Sequence, residues 1–314
     1  MNKLLLAALV SGALSLPAFA ADYTIMAPAA PGGGWDQTAR TMQEALVNEG
    51  ISGNVQVTNV PGAGGTIGLA QFATQDNGNP NALIVGGYVM VGAILTNVSP
   101  VSLENVTPIA RLTGEAVALV VPNNSDIQSV DDLVAKLKEN PGAVAWAGGS
   151  AGGVDHIAAG LIAKAVGVDP TQVNYIAYSG GGEALAAILG GQVTVGLSGV
   201  SEFASQIEAG ELRLLAVSTD SRVPGFDAPT LQEAGVDVAV QNWRMVAAAP
   251  GITDEQRAAI TADIKAMAES ATWQSALETK GWVDTYLDGD AFDAQLAADI
   301  EATETILKDI GLVQ

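Results

Sequence analysis

Gly148, Ser150 and Gly152 carry the G-x-S-x-G spacing that, between a strand and a helix, presents a serine hydroxyl as a nucleophile. Such a hydrolase also needs an acid and then a histidine further along the chain. His156 is the sole histidine and stands on the same turn, so an exported serine hydrolase using Ser150 is the alternative reading. Ser150 reads better as a hydroxyl donor to a bound anion. Its motif is one of four glycine-rich turns: residues 31–36 (PGGGWD), 61–66 (PGAGGT), 148–156 (GGSAGGVDH) and 179–183 (SGGGE), each between an apolar run and a helix-like run. A helix N-terminus offers unpaired N–H groups and about half a positive charge, and glycine lets a ligand approach that backbone. Four such cradles point to one ligand with several negative groups. At about 1–2 kcal/mol each they would supply roughly 4–8 kcal/mol, against about 8 kcal/mol for a micromolar complex.

Other chemistries fit less well. No turn completes G-x-G-x-x-G, because Ile67 stands where the third glycine after Gly62 and Gly64 belongs, and no Gly-Lys pair supplies a phosphate-binding lysine. A lone histidine beside Asp155 lacks the spacing of a zinc site, so neither a metal nor a cofactor is expected. His156 reads as a helix-start residue tied to backbone. Asp36 and Glu183 read as helix-start carboxylates accepting N–H bonds, Asp36 alternatively fixing its turn or an ordered water. Arg40 is spaced for an i,i+4 pair with Asp36. Trp35 is either a cleft wall or a core anchor.

The elements that must position these turns alternate. Apolar or alternating runs recur at residues 23–27, 55–60, 82–86, 117–121, 143–147, 173–178, 193–197, 212–218 and 236–240, with amphipathic stretches at 37–48, 130–139, 154–165 and 200–209. Strands alternating with helices mean α/β layers and largely parallel sheets, two small ones in preference to one large one. Helices are expected at 254–269, capped by Thr253, at 272–280 and at 290–308. Chain crossings near Pro122-Asn123 and near residues 241–250 give one lobe from residues 22–122 plus 243–314 and an inserted lobe from 123–242. Arg244, beside the second crossing, reads as either a direct carboxylate clamp or a hinge residue, with the hinge favoured.

Residues 1–21 read as a cleaved leader: Lys3, an apolar stretch over 4–16, and Ala18-Phe19-Ala20 as the cleavage site. No later apolar run approaches the roughly 20 residues needed to span a bilayer, so an exported, soluble protein is expected. Zero cysteines rule out disulfides and a lipid anchor. The 314 residues hold 13 Lys and Arg against 34 Asp and Glu, for a net charge of −21. That balance argues against nucleic acid. A small anion is still admissible, because surface charge is screened beyond about 8–10 Å.

Taken in order after a leader, PGGGWD, VPGAGGT, GGYVMVGAILTN, GGSAGGVDH, YSGGGEALAAILGGQV and NWR resemble the substrate-binding proteins of tripartite tricarboxylate transporters, the TctC or Bug family, over essentially the whole mature chain. The resemblance implies a two-lobed periplasmic binding protein of type II, each lobe a mostly parallel sheet flanked by helices, with the ligand in the cleft between them. It implies no enzymatic activity, a monomer, a small organic carboxylate as ligand, and the transporter's membrane subunits as partner. Citrate-type members are the nearest in pattern, with C3–C4 dicarboxylates next; a sensory module presenting the same ligand uses the same fold. Carried over by position, the first lobe offers Gly33, Gly34, Trp35 and Asp36, then Ala63, Gly64, Gly65 and Thr66. The second offers Gly149, Ser150, Ala151, Gly152, Gly153 and His156, then Ser179, Gly180 and Gly181. Tyr88 and Ser198 are weaker members of the set.

Overall fold

The computed structural model describes residues 21–314; the leader expected over residues 1–21 lies, apart from Ala21, outside the described residues. The first half alternates β1 (Ala21–Ala27), α1 (Gly34–Asn48), β2 (Ser52–Asn59), α2 (Thr66–Gln75), β3 (Ala82–Gly87) and α3 (Tyr88–Thr96) before the long β4 (Thr107–Pro122). The second half runs α4 (Val130–Glu139), β5 (Ala145–Gly148), α5 (Val154–Ala165), β6 (Asn174–Ala177), α6 (Gly181–Leu189), β7 (Val195–Gly199), α7 (Val200–Glu208) and β8 (Leu212–Val217). The chain then returns through β9 (Gln241–Ala248), α8 (Asp254–Ala268), α9 (Ala271–Lys280), β10 (Val283–Asp288) and α10 (Gly289–Asp309). No helix among the described residues is long and apolar enough to cross a membrane.

The strands follow the order β2-β1-β3-β9-β4-β7-β5-β6, with β8 and β10 also paired to β4. Pairing is parallel at the two outer ends, β2-β1-β3 and β6-β5-β7, where each strand feeds a crossover helix. At the centre it is antiparallel: β9 pairs with both β3 and β4, and β4 with β7, β8 and β10. The parallel expectation thus holds for the α/β arms and is corrected at the middle. There the chain passes between the lobes along long strands and needs no crossover helix.

β4 joins the lobes. Thr107 to Ala116 pair with β9, while Val117 to Pro122 pair with β7 and β8. The change of partners falls at Ala116/Val117, inside a continuous buried strand that ends at Pro122. All of β9 pairs within the first lobe. A strand expected at 236–240 is absent from the pairing, although Val236, Val238 and Val240 are buried. Alternation there reports alternate burial of an irregular segment, which is tied down by bonds such as Val240 N–H to the Ser218 carbonyl. β10 is an addition to the expected strands, because its sequence VDTYLD has too few apolar residues to stand out.

The ten strands form one continuous sheet through β4, where two smaller sheets were expected, and one large core of buried residues along it includes Trp146, Phe72, Met42 and Leu83. A smaller one around Phe203, Ile188 and Val120 fills the second lobe. Three of the helices carry ordinary side-chain caps. Ser129 caps α4 and Thr253 caps α8, each in a capping box, and Ser270 caps α9.

Candidate ligand-binding cleft

The helices that meet between the lobes are capped differently. α1, α2, α5, α6 and α7 begin after Gly33, Gly65, Gly153, Gly180 and Gly199, and none of these has a side-chain cap. Their first-turn N–H groups have no intrahelical acceptor by construction. Three of the preceding loops are instead held in shape by a carboxylate reaching back from the helix. Asp36 Oδ2 accepts from Gly32 N–H (2.9 Å), Asp155 Oδ2 from Gly149 N–H (2.8 Å) and Glu183 Oε2 from Ser179 N–H (3.0 Å). Burial pushes the Asp36 carboxyl up, but bonds from Arg40, Gly32 and Asn59 outweigh it and hold the group below the usual carboxylate range.

The loops enclose a cavity of about 70 Å3 whose walls include Gly33, Gly34, Trp35, Ala63, Gly64 and Gly65 from the first lobe. Gly149, Ser150, Ser179, Gly180, Gly181 and Ser198 face them from the second. Ala63, Gly64, Ser150 and Ser179 also border an outer space of about 330 Å3, together with Ala151 and Glu183. The loop at 62–65 is backbone-constrained: Gly62, Ala63, Gly64 and Gly65 all have positive φ, and Ala63 alone carries a Cβ in that region.

Other expected residues lie outside the inner wall. Asp36 faces Arg40 and Asn59. The Thr66 hydroxyl donates to the Ala63 carbonyl at 2.9 Å. The Tyr88 ring stacks on Trp243 (6.2 Å, 9°), and burial pushes its hydroxyl, bonded to Thr303, up to about 12; its neighbour Val89 lines the cavity instead. Gly153 N–H is bonded to the Ser150 carbonyl. His156 Nδ1 accepts from Gly152 N–H (3.2 Å), and its ring stacks on Tyr175 at 4.1 Å. Burial lowers His156 to about 4, so it is neutral at pH 7 with the proton on Nε2. With Nδ1 occupied by backbone, no acid can orient this imidazole as in a hydrolytic triad.

Four polar residues of the cavity wall were not among the expected ligand contacts: Asp155, Glu202, Asn242 and Arg244. Arg244, expected as a hinge residue, projects from β9 into the cavity wall. It forms a fully buried ion pair with Glu115 of β4, and its guanidinium lies 5.0 Å from the Trp282 ring centroid. Gly34 makes room for it, since a Cβ there would strike Arg244 Nη2. Glu115 also accepts from Ser201 N–H at 2.7 Å, tying the start of α7 to β4. Burial pushes the carboxyls of Asp155 and Glu202 up to about 7, the charge of Glu115 adding to it and Arg244 opposing it.

Of the eight buried side-chain polar atoms without a hydrogen-bond partner among the described residues, four belong to this cavity: Asp155 Oδ1, Glu202 Oε2, Asn242 Oδ1 and Arg244 Nη1. Buried polar atoms are ordinarily paired. Such a concentration in one cavity leaves these atoms without partners from the chain itself.

A UPF0065 protein of Bordetella bronchiseptica is 31% identical over 264 residues, covering 81% of this chain and 77% of its own. Among solved structures, the periplasmic binding protein BugD superposes with a TM-score of 0.81 at 22% identity, covering 93% of this chain and 98% of that one. MatC from Rhodopseudomonas palustris, solved with bound malate, gives a TM-score of 0.81 at 22% identity, with 91% and 98% covered. The model of the tripartite tricarboxylate transporter family receptor, TctC, matches residues 38–312. With that match over most of its length, the chain belongs to the TctC family and is a solute-binding receptor, not an enzyme.

Proposed function

We propose that the receptor captures a small organic di- or tricarboxylate in this cleft, in the periplasm, and delivers it to the membrane subunits of a tripartite tricarboxylate transporter. Citrate-like acids rank first and C3–C4 dicarboxylates next; the malate in MatC, which shares the fold, supports the second group. The observation that carries the reading is the meeting of uncapped helix N-termini with the unpartnered, buried Arg244 Nη1 in one cavity. Backbone N–H groups and a guanidinium are the donors that carboxylate oxygens require.

Closure follows from the same geometry. Neither lobe alone surrounds the cavity, and contacts to both stabilise the closed form. α3 already touches the loop before α5, with the Thr96 hydroxyl 3.4 Å from the Ala151 carbonyl. A thermal-shift screen of organic acids tests the reading. An acid at about 100 times its dissociation constant adds roughly 2.7 kcal/mol of stability. A shift with at least one di- or tricarboxylate is expected, and none with any of them overturns the proposal.

A further inference from the structure

Among the side chains at the inner end of the cavity, unpartnered acceptors outnumber donors. Around it stand three unpartnered oxygens, Asp155 Oδ1, Glu202 Oε2 and Asn242 Oδ1, against one unpartnered donor, Arg244 Nη1. The amide of Asn242 can turn to offer its NH2; an ionised carboxylate has nothing to offer another. Arg244 is already neutralised by Glu115, so a ligand carboxylate beside Glu202 would meet uncompensated negative charge.

Glu202 is the group placed to resolve this. Its residue is partly exposed, through the cavity, while Oε2 is closed off from solvent. It is packed where a Cβ on Gly181 would strike its Oε2 and the Ser198 hydroxyl, and one on Gly34 would come within 3.2 Å of its Oε1. It therefore sits between the first turns of α6 and α1, where a carboxylate would be cradled. The charged groups facing it are Glu115 from β4, Arg244 from β9 and Asp155 from α5. α6 presents Gly181, and β7 presents Ser198, whose hydroxyl hydrogen-bonds the Glu202 carboxyl and opposes the effect of burial on it; Asp36 of α1 is turned to Arg40, and Lys280 of α9 lies over Trp282.

We infer that Glu202 receives a ligand carboxylate as a neutral carboxyl, donating its proton in a hydrogen bond, so that capture of a dianion takes up one proton from solvent. This rests on the carboxylate reading above and deepens it. In balance, ionised Glu202, a proton and the dianion become one complex with a shared O–H···O bond. Near neutral pH, burial holds the free group close to even protonation, at about 7, which lets a ligand tip it. Sign follows directly: binding that takes up a proton weakens as pH rises.

L-Malate is a suitable probe because both its carboxyls are ionised above pH 7. Calorimetric titration of the full receptor at pH 8, in buffers of different ionisation enthalpy, counts the protons. About one proton taken up per malate is expected, with affinity falling about tenfold per pH unit between pH 7.5 and 8.5. In Glu202→Gln the uptake disappears and the slope flattens to less than about twofold per unit. Malate binding with no proton uptake in the wild-type protein overturns the inference and leaves the carboxylate reading standing. So does uptake that survives Glu202→Gln and is lost in Asp155→Asn, which assigns the proton to Asp155. Tighter binding of L-aspartate than L-malate, without uptake, also overturns it, since Glu202 would then be an ionised partner for an ammonium group. If malate, citrate and the other acids all fail to bind, both proposals fall.

Discussion

Replacing Arg244 by Met should destabilise the fold far more than a surface charge change. Its side chain is 1% exposed and that of its partner Glu115 is 0% exposed. Methionine retains much of the aliphatic stem, so the main loss is the charge, together with its position over Trp282. Glu115 would keep the Ser201 N–H bond and lose its counter-charge in a site closed to water. Breaking a buried pair from one side costs about 3–5 kcal/mol, a large part of the roughly 5–15 kcal/mol that holds a domain folded. With a denaturant slope of about 2–3 kcal/mol per molar, this lowers the urea midpoint by about 1–2.5 M. The double variant Arg244→Met, Glu115→Gln removes the stranded charge as well and should recover at least half of the loss. Urea unfolding followed by circular dichroism at pH 7 measures all three proteins. A single variant within about 1 kcal/mol of wild type, or a double variant no better than the single, would refute the argument that this pair is buried and mutually dependent.

Gly181→Val places a Cβ against Glu202 and Ser198 and crowds the first turn of α6, so carboxylate affinity should fall at least tenfold, about 1.4 kcal/mol, in calorimetric titration of a variant confirmed to be folded; unchanged affinity would move the anion site elsewhere. Gly92→Ala sets a Cβ against the Gly152 carbonyl oxygen of the facing lobe. It should hold the lobes apart, reducing affinity and the ligand-induced compaction seen by small-angle scattering, whereas normal compaction would show that α3 and the α5 loop do not meet on closure. His156 has its folded pKa lowered to about 4 from 6.5, so between those values the unfolded chain takes up a proton that the folded chain refuses. Stability should fall as pH drops through that window, by up to about 3 kcal/mol; urea midpoints at pH 7 and pH 4.5 should converge in His156→Gln relative to wild type, and an identical pH dependence in both proteins would contradict the buried, neutral imidazole.

Much of this was legible in the chain because glycine spacing, apolar runs and cap residues are local signals. Thr253 and Ser129 announce their helices, and the glycine turns lie between strand and helix where their spacing puts them. The inner end of the cleft was hidden because its members are far apart in sequence. Glu115 and Arg244 become neighbours only through the pairing of β4 with β9, where Thr113 lies opposite Arg244 and Glu115 opposite Asn242. Nothing in LTGEAVAL or QNWRMVAA reveals that register. Glu202 and Asp155 look like ordinary acidic residues in a first helical turn, and Asp155 does serve as one by bonding Gly149 N–H. Tyr88 misled in the opposite sense: it follows two glycines at a strand end, yet its ring turns into the core against Trp243.

A crystal structure of the receptor with the tightest-binding acid of the screen tests the central claim most directly. The account predicts that the ligand's carboxylate oxygens lie about 2.7–3.1 Å from the backbone N–H groups of Gly180 and Gly181 and from Arg244 Nη1, with Gly34 or Gly64 contacting it from the other lobe. An acid held outside this cavity, or contacting one lobe alone, would contradict it.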